Sequence, residues 1–193
     1  MPRVLVVVVG MPGSGKSFVA RALSGGRNPV YVMGDVIRER LREKGLPITL
    51  ENMMQEAEEV RRLHGPAGVA LLMADKLKRE KAELVIIDGA RGPEELKILS
   101  EAADCLKLVA VVASPATRLS RLLSRGREGD PRSMGELLKR DLRELSFGLG
   151  NLIALADHTI VNEGGEEELL NQLNTLGRVL ASCGNGESVW KYL

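Results

Sequence analysis

Aromatic side chains are scarce in this chain: one Trp, two Tyr and two Phe among 193 residues, or 3%. That scarcity argues against single-stranded nucleic-acid binding, which needs aromatic platforms for the bases. There are only two cysteines, Cys105 and Cys183, far apart and outside any CxxC pattern. The spacing suits neither a zinc site nor a disulfide framework, so both are read as reduced, small apolar residues in a reducing compartment. An excess of charge is also missing. Twenty-seven Lys and Arg face 26 Asp and Glu, a net charge of +1, so no global field draws the protein to nucleic acid or to a membrane surface. The apolar run over 4–9 is far shorter than the ~20 residues of a membrane span. It leads straight into a glycine-rich loop and reads as a core strand, not a signal peptide. The expectation is a cytoplasmic, single-domain protein over 1–193, monomeric or homodimeric, with the 44% hydrophobic and 27% charged content of a soluble globular chain.

Apolar, β-branched runs without polar alternation occur at 4–9, 30–33, 84–87, 106–112 and 158–161. Such runs are strands buried on both faces of a parallel sheet. Helical patterns separate them: 16–23, 36–43, 51–63 with Thr49 as its cap, 69–81, 93–103 opened by Pro93, 115–123 opened by Pro115, 134–155 with a weak point at Gly148 and Gly150, and 166–180. Alternating strands and helices predict a three-layer α/β/α fold around a five-stranded parallel sheet. The tail from 184 is read as loosely held, with Trp190 and Tyr192 able to pack back.

The most specific signal is VLVVVV, then GMPGSGKS, then FVARAL. Gly10, Gly15, Lys16 and Ser17 satisfy the phosphate-loop consensus in its required strand–loop–helix context. Gly13 and Gly15 permit torsions and close backbone approaches that a side chain forbids. Residues Gly10, Met11, Pro12, Gly13, Ser14, Gly15, Lys16 and Ser17 form the arc whose successive main-chain N–H groups, with the helix N-terminus, face the phosphates of ATP or GTP. Lys16 adds a charge at the β and γ phosphates, and Ser17 a hydroxyl for Mg²⁺. Asp88, at the end of the third strand, occupies the place of a carboxylate that holds Mg²⁺ through water. His64 and His158 are isolated and read as structural.

The phosphate loop, GDVIRER after the second strand, DGAR after the third and a later arginine-rich segment follow the order found in nucleoside monophosphate kinases. The chain as a whole resembles an archaeal family of nucleotide-kinase-like P-loop proteins, UPF0200-type, which is also related to dephospho-coenzyme A kinases. The resemblance implies ATP and Mg²⁺ as cofactors and a small-molecule phosphoryl acceptor, bound by a helical region over 36–81 and closed off by a lid at about 124–133. Gly34, Asp35 and Arg38 match GDxxR, whose arginine grips the acceptor phosphate. Asp35 then orients water or Mg²⁺ for a phosphate acceptor, or serves as base for an alcohol. Arg91 stands one residue earlier than the arginine of the adenylate-kinase DGFPR pattern, and two roles stay open: acceptor contact or surface charge. Of the cluster Arg118, Arg121, Arg125, Arg127 and Arg132, the resemblance puts Arg125 and Arg127 on the lid, with Arg140 and Arg143 reaching the transferred phosphoryl group. The rival reading is a solvated basic helix face. Asn162, after the last strand, is placed by the resemblance near the donor base, against a plain turn residue. The expected activity is phosphoryl transfer from ATP-Mg to a nucleoside or deoxynucleoside monophosphate. An alcohol acceptor and an ATP-dependent switch without acceptor are the alternatives.

Overall fold

The computed structural model describes residues 2–127, 129–180 and 190. Five strands, β1 (Val4–Val9), β2 (Val30–Val32), β3 (Leu84–Asp88), β4 (Cys105–Val112) and β5 (His158–Val161), form one sheet in the order β2-β3-β1-β4-β5. Every pairing is parallel. β1 is central and wholly buried, which explains its unbroken apolar run. Its side chains divide by parity. Leu5, Val7 and Val9 join a core with α2 (Met33–Glu43), α3 (Leu50–His64), α4 (Gly68–Leu77), α5 (Pro93–Ser100) and α8 (Leu149–Ala154). Val4, Val6 and Val8 join another with α1 (Lys16–Ser24) and α9 (Glu166–Leu180). Helices thus cover both sheet faces, and the predicted three-layer α/β/α architecture with five parallel strands is the one observed.

Two further helices, α6 (Pro115–Arg125) and α7 (Met134–Ser146), flank the arginine-rich loop. β1 pairs with β3 on one side and β4 on the other, so the chain order reverses around it. A crevice opens at the carboxyl ends of strands at such a switch point. The register sets Val8 beside Asp88 and Val9 beside Ala110. The loop leaving β1 therefore starts next to the β3 carboxylate.

Several boundaries differ from the sequence expectation. α2 begins at Met33, three residues early, so Asp35 lies inside its first turn, where a carboxylate complements the helix dipole. α4 stops at Leu77, not 81; just beyond it the Glu80 carboxylate accepts from the amides of Lys81 and Ala82. α5 ends at Ser100, where the Ala102 amide turns back to Leu99. The helix expected over 134–155 is two helices, broken at Gly148 with φ of 98°. Thr49 caps α3 as expected, accepting from the Asn52 amide at 3.2 Å.

The reading of two reduced cysteines is corrected: Cys105, buried at the start of β4, is disulfide-bonded. Spacing rules recognise local ligand and redox motifs, and Cys105 stands in none of them. Cys183 lies outside the described residues, as does Tyr192. Trp190 is buried in the core beside β1. Among the described residues, no helix is long and apolar enough to cross a membrane.

Candidate active site

The loop over 10–17 leaves β1 and enters α1 through Gly15, which is left-handed at φ 95° and serves as N-cap with no side-chain capping bond. Gly13 is left-handed as well, at φ 82°. A Cβ there would lie 2.7 Å from the Arg118 carbonyl oxygen, so only glycine fits between the loop and α6. No acidic residue sits in the first turn of α1. The Phe18 and Val19 amides turn back to the Gly15 carbonyl. The positive end of the helix and its first amides are therefore left for an anion.

Lys16 belongs to a partly open residue shell, yet its ammonium is crowded by protein. Desolvation pushes its pKa below 10.5, the carboxylates of Asp88 and Glu144 counter that shift, and the charges of Arg140 and Arg91 add to it. Three elements thus converge electrostatically on Lys16: the end of β3, the loop after it, and α7. Asp88 is 6% exposed, and its Oδ1 is buried without a hydrogen-bond partner. A buried carboxylate oxygen with no donor is costly unless a ligand serves it. One strand-width from the phosphate loop, it fits a hydrated divalent cation, with the Ser17 hydroxyl as the second protein group.

The predicted acceptor residues take different partners. Arg38 and Asp35 pair with each other at 2.6 Å on the half-exposed start of α2. Arg91 is exposed and turns toward α7. Its Nε lies 3.4 Å from a Glu144 carboxylate oxygen, and its main-chain amide donates to Glu95 at 2.9 Å. Arg91 also lines a cavity of about 260 Å³ together with Arg61, Glu95 and Phe147. The guanidinium carbons of Arg61 and Arg91 lie 5.0 and 5.7 Å from the Phe147 ring centre. Glu95 is 3% exposed, and burial pushes its carboxyl pKa up. Arg61 was not singled out from sequence; one arginine in a charged helix carries no local signal of the ring it will meet.

The loop between α6 and α7 is organised by Asp130. Arg125 forks onto it at 2.8 and 2.5 Å, the Arg127 amide donates to it, and Arg140 lies 3.5 Å away. The Arg125 hydrogen bond is the main cause that holds the Asp130 carboxyl below its usual range. The Arg127 side chain is exposed. Of the two arginines expected on the lid and the two expected at the transferred group, Arg140 is the one whose charge acts on Lys16. Arg143 turns instead to α3, donating to Glu58 at 3.0 Å and contacting Met54 Sδ.

Asn162 sits beneath the phosphate loop. Its Nδ2 donates to the Ser14 carbonyl at 2.8 Å, and a Cβ on Gly15 would collide with it. Arg121 donates to both oxygens of Asn162, at 2.9 and 3.2 Å. Arg118, part of the arginine cluster in sequence, is 4% exposed and forks onto Asp141 at 2.9 and 2.6 Å. A usable signal existed for Arg118: it stands four residues before Leu122, on the buried stripe of α6.

A family model described as an AAA domain matches residues 9–139. A UPF0200 protein of Hyperthermus butylicus is 44% identical, over 86% of this chain and 89% of its own length. One from Staphylothermus marinus is 47% identical, over 85% and 86%. The chain belongs to the UPF0200 family. Among solved structures, this UPF0200 fold is similar to TT1252 from Thermus thermophilus (TM-score 0.63, 19% identity, 93% of this chain and 99% of that one). It is also similar to shikimate kinase from Bacteroides thetaiotaomicron (0.61, 16%, 93% and 99%) and to a gluconokinase from Sinorhizobium meliloti (0.52, 21%, 91% and 94%). At these identities the likeness concerns the fold, which is that of P-loop kinases.

Proposed function

We propose that this UPF0200 protein is a phosphotransferase that moves the γ-phosphoryl group of ATP-Mg to a small acceptor, a nucleoside or deoxynucleoside monophosphate. The observation that carries this reading is the convergence on Lys16 of Asp88, Arg91, Arg140 and Glu144 from three separate elements. A loop that only held a nucleotide would not need cations from both the β3–α5 connection and α7. Phosphoryl transfer does need them, because negative charge spreads over the transferred group and must be matched by positions fixed in advance.

The amides over 10–17 and Lys16 hold the donor phosphates. Mg²⁺, when bound by Ser17 and, through water, Asp88, supplies charge neutralisation at the phosphates. Arg91 and Arg38 orient the acceptor phosphate, and Arg140 faces the transferred group. An acceptor oxygen forms the new bond to the γ-phosphorus as the bond to the β–γ bridging oxygen breaks, and ADP leaves with that electron pair. A phosphate acceptor already carries an anionic oxygen, so this route needs no protein base. Arg125 and Arg127, on the segment 124–133, close the site against water.

An alcohol acceptor is the second reading. It is favoured by the similarity of fold to proteins named shikimate kinase and gluconokinase and by Asp35, which would take the hydroxyl proton. ADP release is measured with ATP-Mg and a panel of monophosphates, sugar acids and other alcohols. The proposal expects monophosphates to accelerate it at least tenfold and to yield diphosphates. Turnover with alcohols alone overturns the acceptor class. Hydrolysis that no acceptor accelerates overturns the transferase reading in favour of a switch.

A further inference from the structure

A phosphate loop that turns its amides toward an anion must turn carbonyls toward the protein, and buried carbonyls need donors. Two side chains supply them here. Asn162 serves Ser14, and Arg118 Nη1 serves Pro12 at 3.1 Å. Four of the five N–H donors of the Arg118 guanidinium are engaged: besides the bond to Pro12, Nε donates to the Ala113 carbonyl at 3.2 Å, and the fork closes on Asp141. Both ion-pair partners are buried, Arg118 at 4% and Asp141 at 7% exposed. A buried pair of this kind is seldom chosen for stability, since well-packed apolar residues do as well. Its placement explains it better. Arg118 lies on α6 before the arginine-rich loop, and Asp141 on α7 after it, next in sequence to Arg140.

We infer that Arg118 is a positioning residue that fixes the Pro12 peptide of the phosphate loop and, through Asp141, sets where the two flanks of the lid and Arg140 stand relative to Lys16. The pair acts through its shape as well as its charge: one planar fork bridges a carbonyl of the loop and a carboxylate of α7. The inference rests on the nucleotide-binding half of the proposed function and is independent of the acceptor.

The test uses four variants of the full chain: Asp141→Asn, Arg118→Lys, Arg118→Met and the double exchange Arg118→Met/Asp141→Leu. Each is assayed for melting temperature, ATP-Mg affinity by titration, and the ³¹P shifts of the bound nucleotide. The double variant removes both charges together and keeps the protein folded where Arg118→Met alone fails to fold. We expect it to melt within a few degrees of wild type, bind ATP-Mg at least tenfold more weakly, and show displaced phosphate resonances. Arg118→Lys keeps the charge without the fork and is expected to resemble the double variant in affinity. A purely structural ion pair predicts the reverse: Lys rescues, and nucleotide affinity does not follow the pair. Wild-type affinity and phosphate shifts in the folded double variant overturn the inference, as they do in Asp141→Asn together with Arg118→Lys. Absence of ATP-Mg binding by wild type overturns the proposed function instead, so the two failures are distinguishable.

Discussion

Replacing Asp88 by asparagine separates a structural carboxylate from one kept for a ligand. In the free protein Asp88 Oδ1 is buried without a partner. Leaving such a group unserved costs about 1–3 kcal/mol, and more when it is charged. Asparagine has the same shape without the charge; relief of the unserved carboxylate offsets the lost attraction to Lys16, so the melting temperature should stay within about 2–4 °C of wild type, the span of about 1 kcal/mol for a chain of this size. Binding should change much more. A charge-assisted hydrogen bond is worth about 1.5–3 kcal/mol, so ATP-Mg should bind about tenfold to a hundredfold more weakly. ATP with excess chelator should bind both proteins equally. Thermal melts and titrations with and without Mg²⁺ read both effects. An Asp88→Asn protein that melts lower than wild type and binds ATP-Mg equally well refutes the reasoning: the carboxylate would then belong to the fold alone.

Other expectations follow from the same geometry. Gly13→Ala meets a left-handed φ and the Arg118 backbone at once, while Gly89→Ala meets a left-handed φ of 94° with open space around it. The second should lose about 1–2 kcal/mol and the first about 3 kcal/mol or more; equal losses in denaturant melts contradict the packing described. Nucleotide phosphates should restore the Lys16 proton that burial weakens. At pH values between its lowered pKa and 10.5, binding should take up a proton, detected as a dependence of calorimetric heat on buffer ionisation and absent in Lys16→Met. Tyr31 donates to Glu80 at 2.6 Å, and this bond raises the phenol from 10.0 to about 12. Its stabilisation is present below the unfolded value and lost as pH rises from 10.0 to about 12, a loss that Tyr31→Phe should remove from pH-dependent denaturation curves.

What was legible in the sequence was whatever is written locally. The β1 valines, the glycine pattern and Lys16 encode a buried strand, a tight turn and a helix start within fourteen consecutive residues (4–17), and all three stand where expected. Thr49 announced its helix for the same reason. Residues whose meaning depends on direction across the fold were not legible. Arg118 and Arg125 look alike in a basic segment, yet one is buried under the phosphate loop and the other closes on Asp130. Asn162 looked like a turn residue or a base contact, and nothing local announced that it holds a loop carbonyl. Glu144 and Asp141 carry no local signal of the arginines they face, Arg91 and Arg118. Cys105 misled because its bond is not written in its neighbours.

The central claim is that main-chain amides over 10–17, together with Lys16, form a seat for a magnesium-bound nucleoside triphosphate. Equilibrium titration of folded wild-type and Lys16→Ala protein with labelled ATP and Mg²⁺ tests it most directly. The account predicts saturable binding by wild type at one site per chain and at least a tenfold weaker affinity in the variant. No saturable binding by wild type, or equal affinity in the two proteins, would contradict it.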